Sequence, residues 1–126
     1  MAQPFKVLLI DDSELLHAYV KRSLADLGND LILLVADSVS AGYQHFLAYP
    51  RLDLIIVDAC VSSNRVNTDR LIRDIRCHGY SGELVAISEH DEQRRCLLEA
   101  GCTFEIVHKR DVPEYIRMRC LTRSVN

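Results

Sequence analysis

Five side chains with chemical potential follow the apolar runs of this sequence. Asp11 and Asp12 come directly after FKVLLI, and Asp58 follows LIIV. Ser88 follows LVAI, and Lys109 comes shortly after FEIV. An aspartate carboxylate can act as a nucleophile toward a phosphoryl group. A hydroxyl and an ammonium group are suitable partners for the phosphoryl oxygens. These residue types indicate phosphoryl chemistry, provided that the fold brings them together.

Three carboxylates in one place require a cation. Two carboxylates about 4 Å apart repel by roughly 4 kcal/mol at an effective dielectric constant of about 20. Mg²⁺ is the natural counter-ion, because it binds one or two carboxylates, keeps several waters and leaves room for a phosphate. We therefore expect a Mg²⁺ site at these aspartates, with Asp12, Ser88 and Lys109 meeting the needs of the phosphoryl oxygens.

The apolar runs alternate with helical patterns along the whole chain. Strands are predicted at residues 5–10, 31–35, 54–57, 84–87 and 104–107. Helices are predicted from the N-cap Ser13 to Gly28, from Ser38 to just before Pro50, around residues 71–79, over residues 91–100 and from Pro113 onward. Strands that alternate with helices predict an α/β fold, in which helices cover both faces of a parallel sheet. Ligands bind such sheets at the carboxyl ends of the strands, where all five polar side chains are expected.

Length and composition limit the alternatives. A chain of 126 residues predicts one domain, residues 1–126, without a separate output domain. Hydrophobic residues at 48% and charged residues at 26% are typical of a globular protein. The net charge of −3 argues against nucleic-acid binding, which needs a dense basic patch. The longest apolar run has six residues, residues 31–36, so no membrane-spanning segment is expected.

The cysteines indicate a reducing compartment. There are five, an odd number, and none forms a CxxC pair. We expect reduced thiols that are mostly small core residues, in a cytoplasmic protein.

The motifs around the five side chains resemble those of a known family. The segments VLLIDDSE, LDLIIVDAC, LVAISEH and IVHKRD are similar, in order and spacing, to the receiver domain of two-component response regulators. The resemblance covers essentially the whole chain and is greatest to stand-alone receivers of the chemotaxis-regulator type. It implies a flavodoxin-like sheet with strand order 2-1-3-4-5.

The resemblance also implies roles for the residues. Asp58 would be the phosphoacceptor, and a phosphohistidine on a histidine kinase or phosphotransfer protein would be the donor. Asp11, Asp12 and Asp58 would bind Mg²⁺, with the backbone carbonyl of Cys60 as a further ligand. Ser88 would be the switch hydroxyl. The ammonium group of Lys109 would pair with the phosphoryl oxygen.

Several positions depart from the family pattern. Glu89 replaces a small residue after the switch hydroxyl, where its carboxylate would either slow anionic donors or point to solvent. Arg110 replaces a proline that is often cis, so we expect a trans bond there. The usual aromatic switch position is Ile106, and we expect nearby Phe104 to be a core residue. Cys60 and the residue two positions after Ser88, His90, would alter the lifetime of the phosphoryl group.

Three functional hypotheses follow. The first is a phosphorylation-switched signalling module, not a turnover enzyme, that acts on an unknown downstream protein. The second is a pseudo-receiver that binds a protein without phosphorylation. The third is a Mg²⁺-dependent phosphatase, which lacks support because Cys60 stands where such enzymes place a second aspartate. The family's interaction face, through which a homodimer would also form, is the fourth helix, fifth strand and fifth helix. Its arginines suggest an acidic or self-complementary partner: Arg94, Arg95, Arg110, Arg117 and Arg119.

Overall fold

Five parallel strands form a single sheet in the order β2-β1-β3-β4-β5. The computed structural model describes residues 3–123. The strands are β1 (Phe5–Ile10), β2 (Leu31–Ala36), β3 (Leu54–Asp58), β4 (Glu83–Ile87) and β5 (Phe104–Ile106). The helices are α1 (Glu14–Ser23), α2 (Val39–Ala48), α3 (Asp69–Cys77), α4 (Asp91–Ala100) and α5 (Val112–Thr122). The predicted fold class and strand order are therefore confirmed.

Helices cover both faces of the sheet, because the strands are apolar on both sides. On one face Ile10 packs in a buried cluster with Phe46 of α2 and Leu97 of α4. On the other face Leu9 packs with Val20 of α1 and Ile116 of α5. Adjacent strand residues point to opposite faces, so one strand contributes to both clusters. No helix in residues 3–123 is long and apolar enough to cross a bilayer.

The predicted helix boundaries hold at most ends. Ser13 caps α1 by accepting a hydrogen bond from Leu16 N at 3.1 Å, and Ser38 caps α2 in the same way. Helix α4 ends at Ala100 and is capped by Gly101, whose φ of +140° favours glycine. Pro113 lies in the first turn of α5, where its missing N–H costs nothing. The Ser13 and Ser38 caps lie in the loops that follow β1 and β2.

Some boundaries differ from the prediction. Helix α1 ends at Ser23, and a 3-10 segment (Ala25–Asp30) replaces its predicted last turn. Asp58 is the last residue of β3 itself, and β5 ends at Ile106, one residue early. A short 3-10 turn (Lys109–Asp111) then leads into α5.

Two expectations about the core were wrong. Phe104 is 47% exposed and stacks on Tyr115 of α5 with ring centroids 5.1 Å apart. It is the first residue of a three-residue strand that has a neighbouring strand on one side only, so part of its ring stays open to solvent. Among the cysteines only Cys102 and Cys120 are buried, although all five are free thiols as expected.

Candidate functional site

Lys109 joins two aspartates at the carboxyl end of the sheet. Its ammonium nitrogen lies 2.9 Å from Asp11 Oδ2 and 3.1 Å from Asp58 Oδ2. Asp11 follows β1, Asp58 ends β3 and Lys109 follows β5. Strand β4 lies between β3 and β5, so the Lys109 side chain extends past the end of β4 to reach Asp58 and Asp11. The structure thus brings together three side chains that the sequence placed at this edge.

The side chain of Asp11 is fully buried and only partly satisfied. Its Oδ1 accepts a hydrogen bond from Ser13 N at 2.7 Å. Its Oδ2 contacts the Lys109 ammonium but has no hydrogen bond of good geometry, the one such buried side-chain atom in the described part of the chain. His17 Nε2 lies 2.6 Å from the Asp11 main-chain oxygen, to which it must donate. A buried carboxylate oxygen without a full partner has free capacity for a cation.

Asp12 completes a three-carboxylate cluster. One oxygen each from Asp11, Asp12 and Asp58 lies within 4.8 Å of the others. Asp12 is exposed, and its Oδ2 accepts a hydrogen bond from Ser62 N at 2.9 Å. Oxygen ligands of this kind, one of them open to water, fit a hard divalent cation such as Mg²⁺. The residues present therefore fit the expected metal.

The environment of Asp58 makes its carboxyl group harder to ionise than that of a free aspartate. Burial, and then repulsion from Asp11, raise the pKa of Asp58 to about 6, against the opposing pull of Lys109. For Lys109, burial lowers the pKa, but the ion pairs with Asp11 and Asp58 outweigh it and leave the pKa raised. At neutral pH Asp58 is thus mainly a carboxylate, paired with a charged ammonium group.

The loop after β3 is held by residues that the sequence did not single out. Thr68 is buried, and its hydroxyl donates to the Asp58 main-chain oxygen at 2.7 Å and also contacts that of Ala59 at 3.1 Å. Asn67 pairs with both the N–H and the carbonyl of Val61. Cys60 N donates to Asp58 Oδ1 at 3.4 Å. These bonds fix the backbone around Asp58.

Ser88 lies in a cavity of about 480 Å³ that Asp58, Cys60 and Lys109 also line. Its hydroxyl donates to Gln93 Oε1 at 2.6 Å and accepts from His90 N at 3.0 Å. Gln93 was not singled out from the sequence. Its place three residues after the helix-capping position is a known signature for side chains that bond back to a helix start.

Charged groups surround the mouth of this cavity. Glu89 is 72% exposed at the side chain and lies 3.5 Å from His108 Nδ1. His90 and Arg110 are exposed and also line the cavity. The described residues contain no cis peptide bond, so the expected trans bond before Arg110 is confirmed. Glu89 thus points largely to solvent, at the entrance to the site.

Arg94 is a buried cation that ties the site to β5. Its side chain is 8% exposed and pairs with Asp91 and, at 2.7 Å, with Glu105 Oε1. A third bond runs from Arg94 Nη1 to the Ser88 main-chain oxygen at 2.7 Å. Ile106, the expected switch position, is buried in the cluster on the α1 and α5 side of the sheet. The expected switch position therefore carries no aromatic ring, and Phe104, the aromatic residue of β5, stacks on Tyr115 instead.

The predicted basic face is largely neutralised by acidic neighbours. Three of its five arginines are held in ion pairs: Arg94 with Glu105, Arg117 with Asp26, and Arg119 with Glu83. Arg95 and Arg110 remain exposed. The sequence-based suggestion of an acidic partner therefore loses most of its basis, because sequence alone does not show how arginines pair.

Comparison with solved structures gives the same fold repeatedly. The chain matches no protein-family model and no curated protein. It is similar to the Vibrio cholerae chemotaxis protein CheY4, at 17% identity and a TM-score of 0.73, over 91% of this chain and 98% of that one. The receiver domain of NtrX from Brucella abortus matches at 20% identity and a TM-score of 0.72, over 94% of this chain and 99% of that one. A response regulator receiver domain protein from Clostridium thermocellum matches at 20% identity and a TM-score of 0.71, over 92% and 94%. The chain therefore has the fold of response regulator receiver domains.

Proposed function

We propose that this protein is a phosphoacceptor signalling module of a two-component system or phosphorelay. Asp58 accepts a phosphoryl group from a phosphohistidine on a histidine kinase or phosphotransfer protein. The observation that carries the proposal is the position of the Lys109 ammonium group between Asp11 and Asp58, inside a cluster of three carboxylates. The receiver-like fold gives independent support.

The chemistry requires a nucleophile and a way to balance charge. A carboxylate oxygen of Asp58 forms a bond to phosphorus as the P–N bond to the donor imidazole breaks, and the electron pair leaves with the imidazole. The Lys109 ammonium group, 3.1 Å from Asp58 Oδ2, is close enough to neutralise a phosphoryl oxygen. The hydroxyl of Ser88 supplies a further donor once it turns toward Asp58. Water later attacks phosphorus, releases inorganic phosphate and restores the carboxylate.

Asp11, Asp12 and Asp58, with the backbone carbonyl of Cys60, would hold Mg²⁺. The bound ion would supply positive charge that offsets the repulsion between the carboxylates and an incoming phosphoryl group. The partly unsatisfied Oδ2 of Asp11 supports this assignment. The exposure of Asp12 leaves a side open to water.

The output of the module is a change in binding to another protein in the cytoplasm. This proposal gives the protein no turnover reaction of its own. In support of it, the position two residues after Asp58 is a cysteine that offers no strong acid, and burial raises the pKa of that thiol. A phosphatase built on a nucleophilic aspartate would need an acid there.

Binding of beryllofluoride, a mimic of the phosphoryl group, tests the proposal. We expect ¹H–¹⁵N NMR spectra to show saturable shifts when beryllofluoride is added with Mg²⁺. The shifts should be absent without Mg²⁺ and in Asp58→Asn. Saturable binding of an unrelated protein partner, with no response to beryllofluoride, would instead identify a pseudo-receiver.

A further inference from the structure

The hydroxyl of Ser88 forms part of the start of helix α4. It accepts a hydrogen bond from N–H of His90, the residue that precedes the helix, at 3.0 Å. It donates to Oε1 of Gln93, in the first helical turn, at 2.6 Å. The first N–H groups of a helix have no partner within the helix, so an oxygen at this position stabilises the helix start. Ser88 is therefore engaged by α4 and not by Asp58.

The backbone of Ser88 is fixed by separate bonds. Arg94 Nη1 donates to the Ser88 main-chain oxygen at 2.7 Å, and Ser88 N donates to the Ile106 oxygen at 3.2 Å. Arg94 is itself anchored by Glu105. Movement of the Ser88 backbone would break these bonds, whereas rotation of its side chain would not. A change in the position of the hydroxyl is thus a change of rotamer.

The two positions of the hydroxyl exclude each other. A serine hydroxyl has one proton, so it cannot donate to Gln93 and to a phosphoryl oxygen on Asp58 at the same time. Asp58, Ser88 and Gln93 line the same cavity of about 480 Å³, which leaves space for the hydroxyl to turn. A phosphoryl group must therefore compete with Gln93 for this proton.

We propose that Gln93 is a positioning residue that holds the Ser88 hydroxyl away from Asp58, and that phosphorylation releases it. The proposal rests on the phosphoacceptor function of Asp58. Release of the hydroxyl removes the hydrogen-bond acceptor of His90 N–H and the donor to Gln93. The start of α4 then loses both bonds, which converts a change at Asp58 into a change in a surface helix.

The affinity for beryllofluoride measures this competition. Gln93→Leu keeps a side chain of similar volume but removes the acceptor, and Gln93→Glu keeps an acceptor oxygen. In NMR titrations with Mg²⁺, we expect Gln93→Leu to bind beryllofluoride about 2- to 10-fold more tightly than the wild type. Gln93→Glu should bind no more tightly than the wild type. Gln44→Leu is the same substitution at an exposed position of α2 and should change nothing.

A Ser88→Ala background separates positioning from general structural effects. Without the hydroxyl, Gln93→Leu should no longer change the affinity for beryllofluoride. An equal gain in both backgrounds, or no gain with Ser88 present, would overturn the role of Gln93.

A second readout needs no phosphoryl mimic. In urea unfolding of the unliganded protein, Ser88→Ala and Gln93→Leu should be non-additive, with a coupling of about 2- to 10-fold in the unfolding equilibrium constant. Additive effects would overturn the proposal. If non-additivity is found but the wild type does not bind beryllofluoride, the proposed function fails and the Ser88–Gln93 bond stands.

Discussion

The Lys109 ammonium nitrogen lies 3.1 Å from Oδ2 of Asp58, across 51 residues of sequence. The same nitrogen contacts Asp11 Oδ2 at 2.9 Å. The Lys109 ammonium group therefore lies beside the space that a metal ion would occupy, and it supplies part of the positive charge that the carboxylates require. This relationship makes the affinity for Mg²⁺ sensitive to the ammonium group.

Replacement of Lys109 by methionine should strengthen Mg²⁺ binding and weaken beryllofluoride binding. The variant keeps an unbranched side chain but removes a positive charge close to Asp11 and Asp58, two carboxylates of the proposed metal site. At a dielectric constant between those of protein and water, this should raise the Mg²⁺ affinity about 3- to 10-fold. Calorimetric titration measures the effect, and Lys21→Met, on the exposed side of α1, serves as the control. Equal Mg²⁺ affinities for the wild type and Lys109→Met would contradict the account.

Asp58→Asn should stabilise the metal-free protein at neutral pH. The folded-state pKa of Asp58 is raised from 3.8 to about 6 by burial and by Asp11. A raised carboxyl pKa contributes stability below the unfolded-state pKa, and that contribution is lost as the pH rises through the folded-state pKa. The free energy of unfolding of the wild type should therefore fall, relative to that of Asp58→Asn, by up to about 2–3 kcal/mol between pH 4 and pH 7.

Urea unfolding in EDTA at several pH values measures this difference. Asp37→Asn, at an exposed position after β2, provides the control. Addition of Mg²⁺ should stabilise the wild type more than Asp58→Asn. A difference between the two proteins that does not change with pH would argue against the raised pKa.

Thr68→Val should destabilise the protein by about 1–2 kcal/mol. The substitution keeps the shape of the side chain but removes the buried hydroxyl that donates to the Asp58 main-chain oxygen. Thermal or urea unfolding provides the measurement. Thr122→Val, at an exposed position near the end of α5, should change stability by less than about 0.5 kcal/mol. A loss equally small for Thr68→Val would show that its hydroxyl does not hold the loop.

Glu89→Ala should speed phosphorylation by small anionic donors. The exposed carboxylate lies at the mouth of the cavity that contains Asp58, where it repels a negatively charged donor. We expect the rate with acetyl phosphate to rise about 2- to 5-fold at low ionic strength, and the gain to shrink as salt is added. Glu99→Ala, toward the other end of α4, is the matched control. A rate that stays the same or falls in Glu89→Ala would exclude this role.

The main features of the site could be predicted because a parallel sheet has a simple geometry. Strands of one direction bring their carboxyl ends to the same edge, so Asp11, Asp58 and Lys109 had to meet once the strands were identified. Each apolar run was long enough, and far enough from the next, to be identified as a strand, and polar residues marked its ends. The end of each strand was therefore known to within one or two residues.

The contacts of Gln93, Arg94 and Thr68 could not be predicted in the same way. Each contact depends on the conformation of a loop and on the rotamer of a polar side chain. The spacing of apolar residues in the sequence determines neither. Arg94 was expected on a surface, because arginine is rarely buried unless it is paired. Phe104 was expected in the core, but it begins a short strand at the edge of the sheet, where its ring stacks on Tyr115 and stays partly open to solvent.

The most direct test of the account is the mass of the intact protein after incubation with Mg²⁺ and acetyl phosphate. We predict a gain of one phosphoryl group that hydroxylamine removes, as expected for an acyl phosphate. The gain should be absent from Asp58→Asn and from samples treated with EDTA. An equal gain in Asp58→Asn, or no gain in the wild type together with no binding of beryllofluoride, would contradict the assignment of Asp58 as the phosphoacceptor.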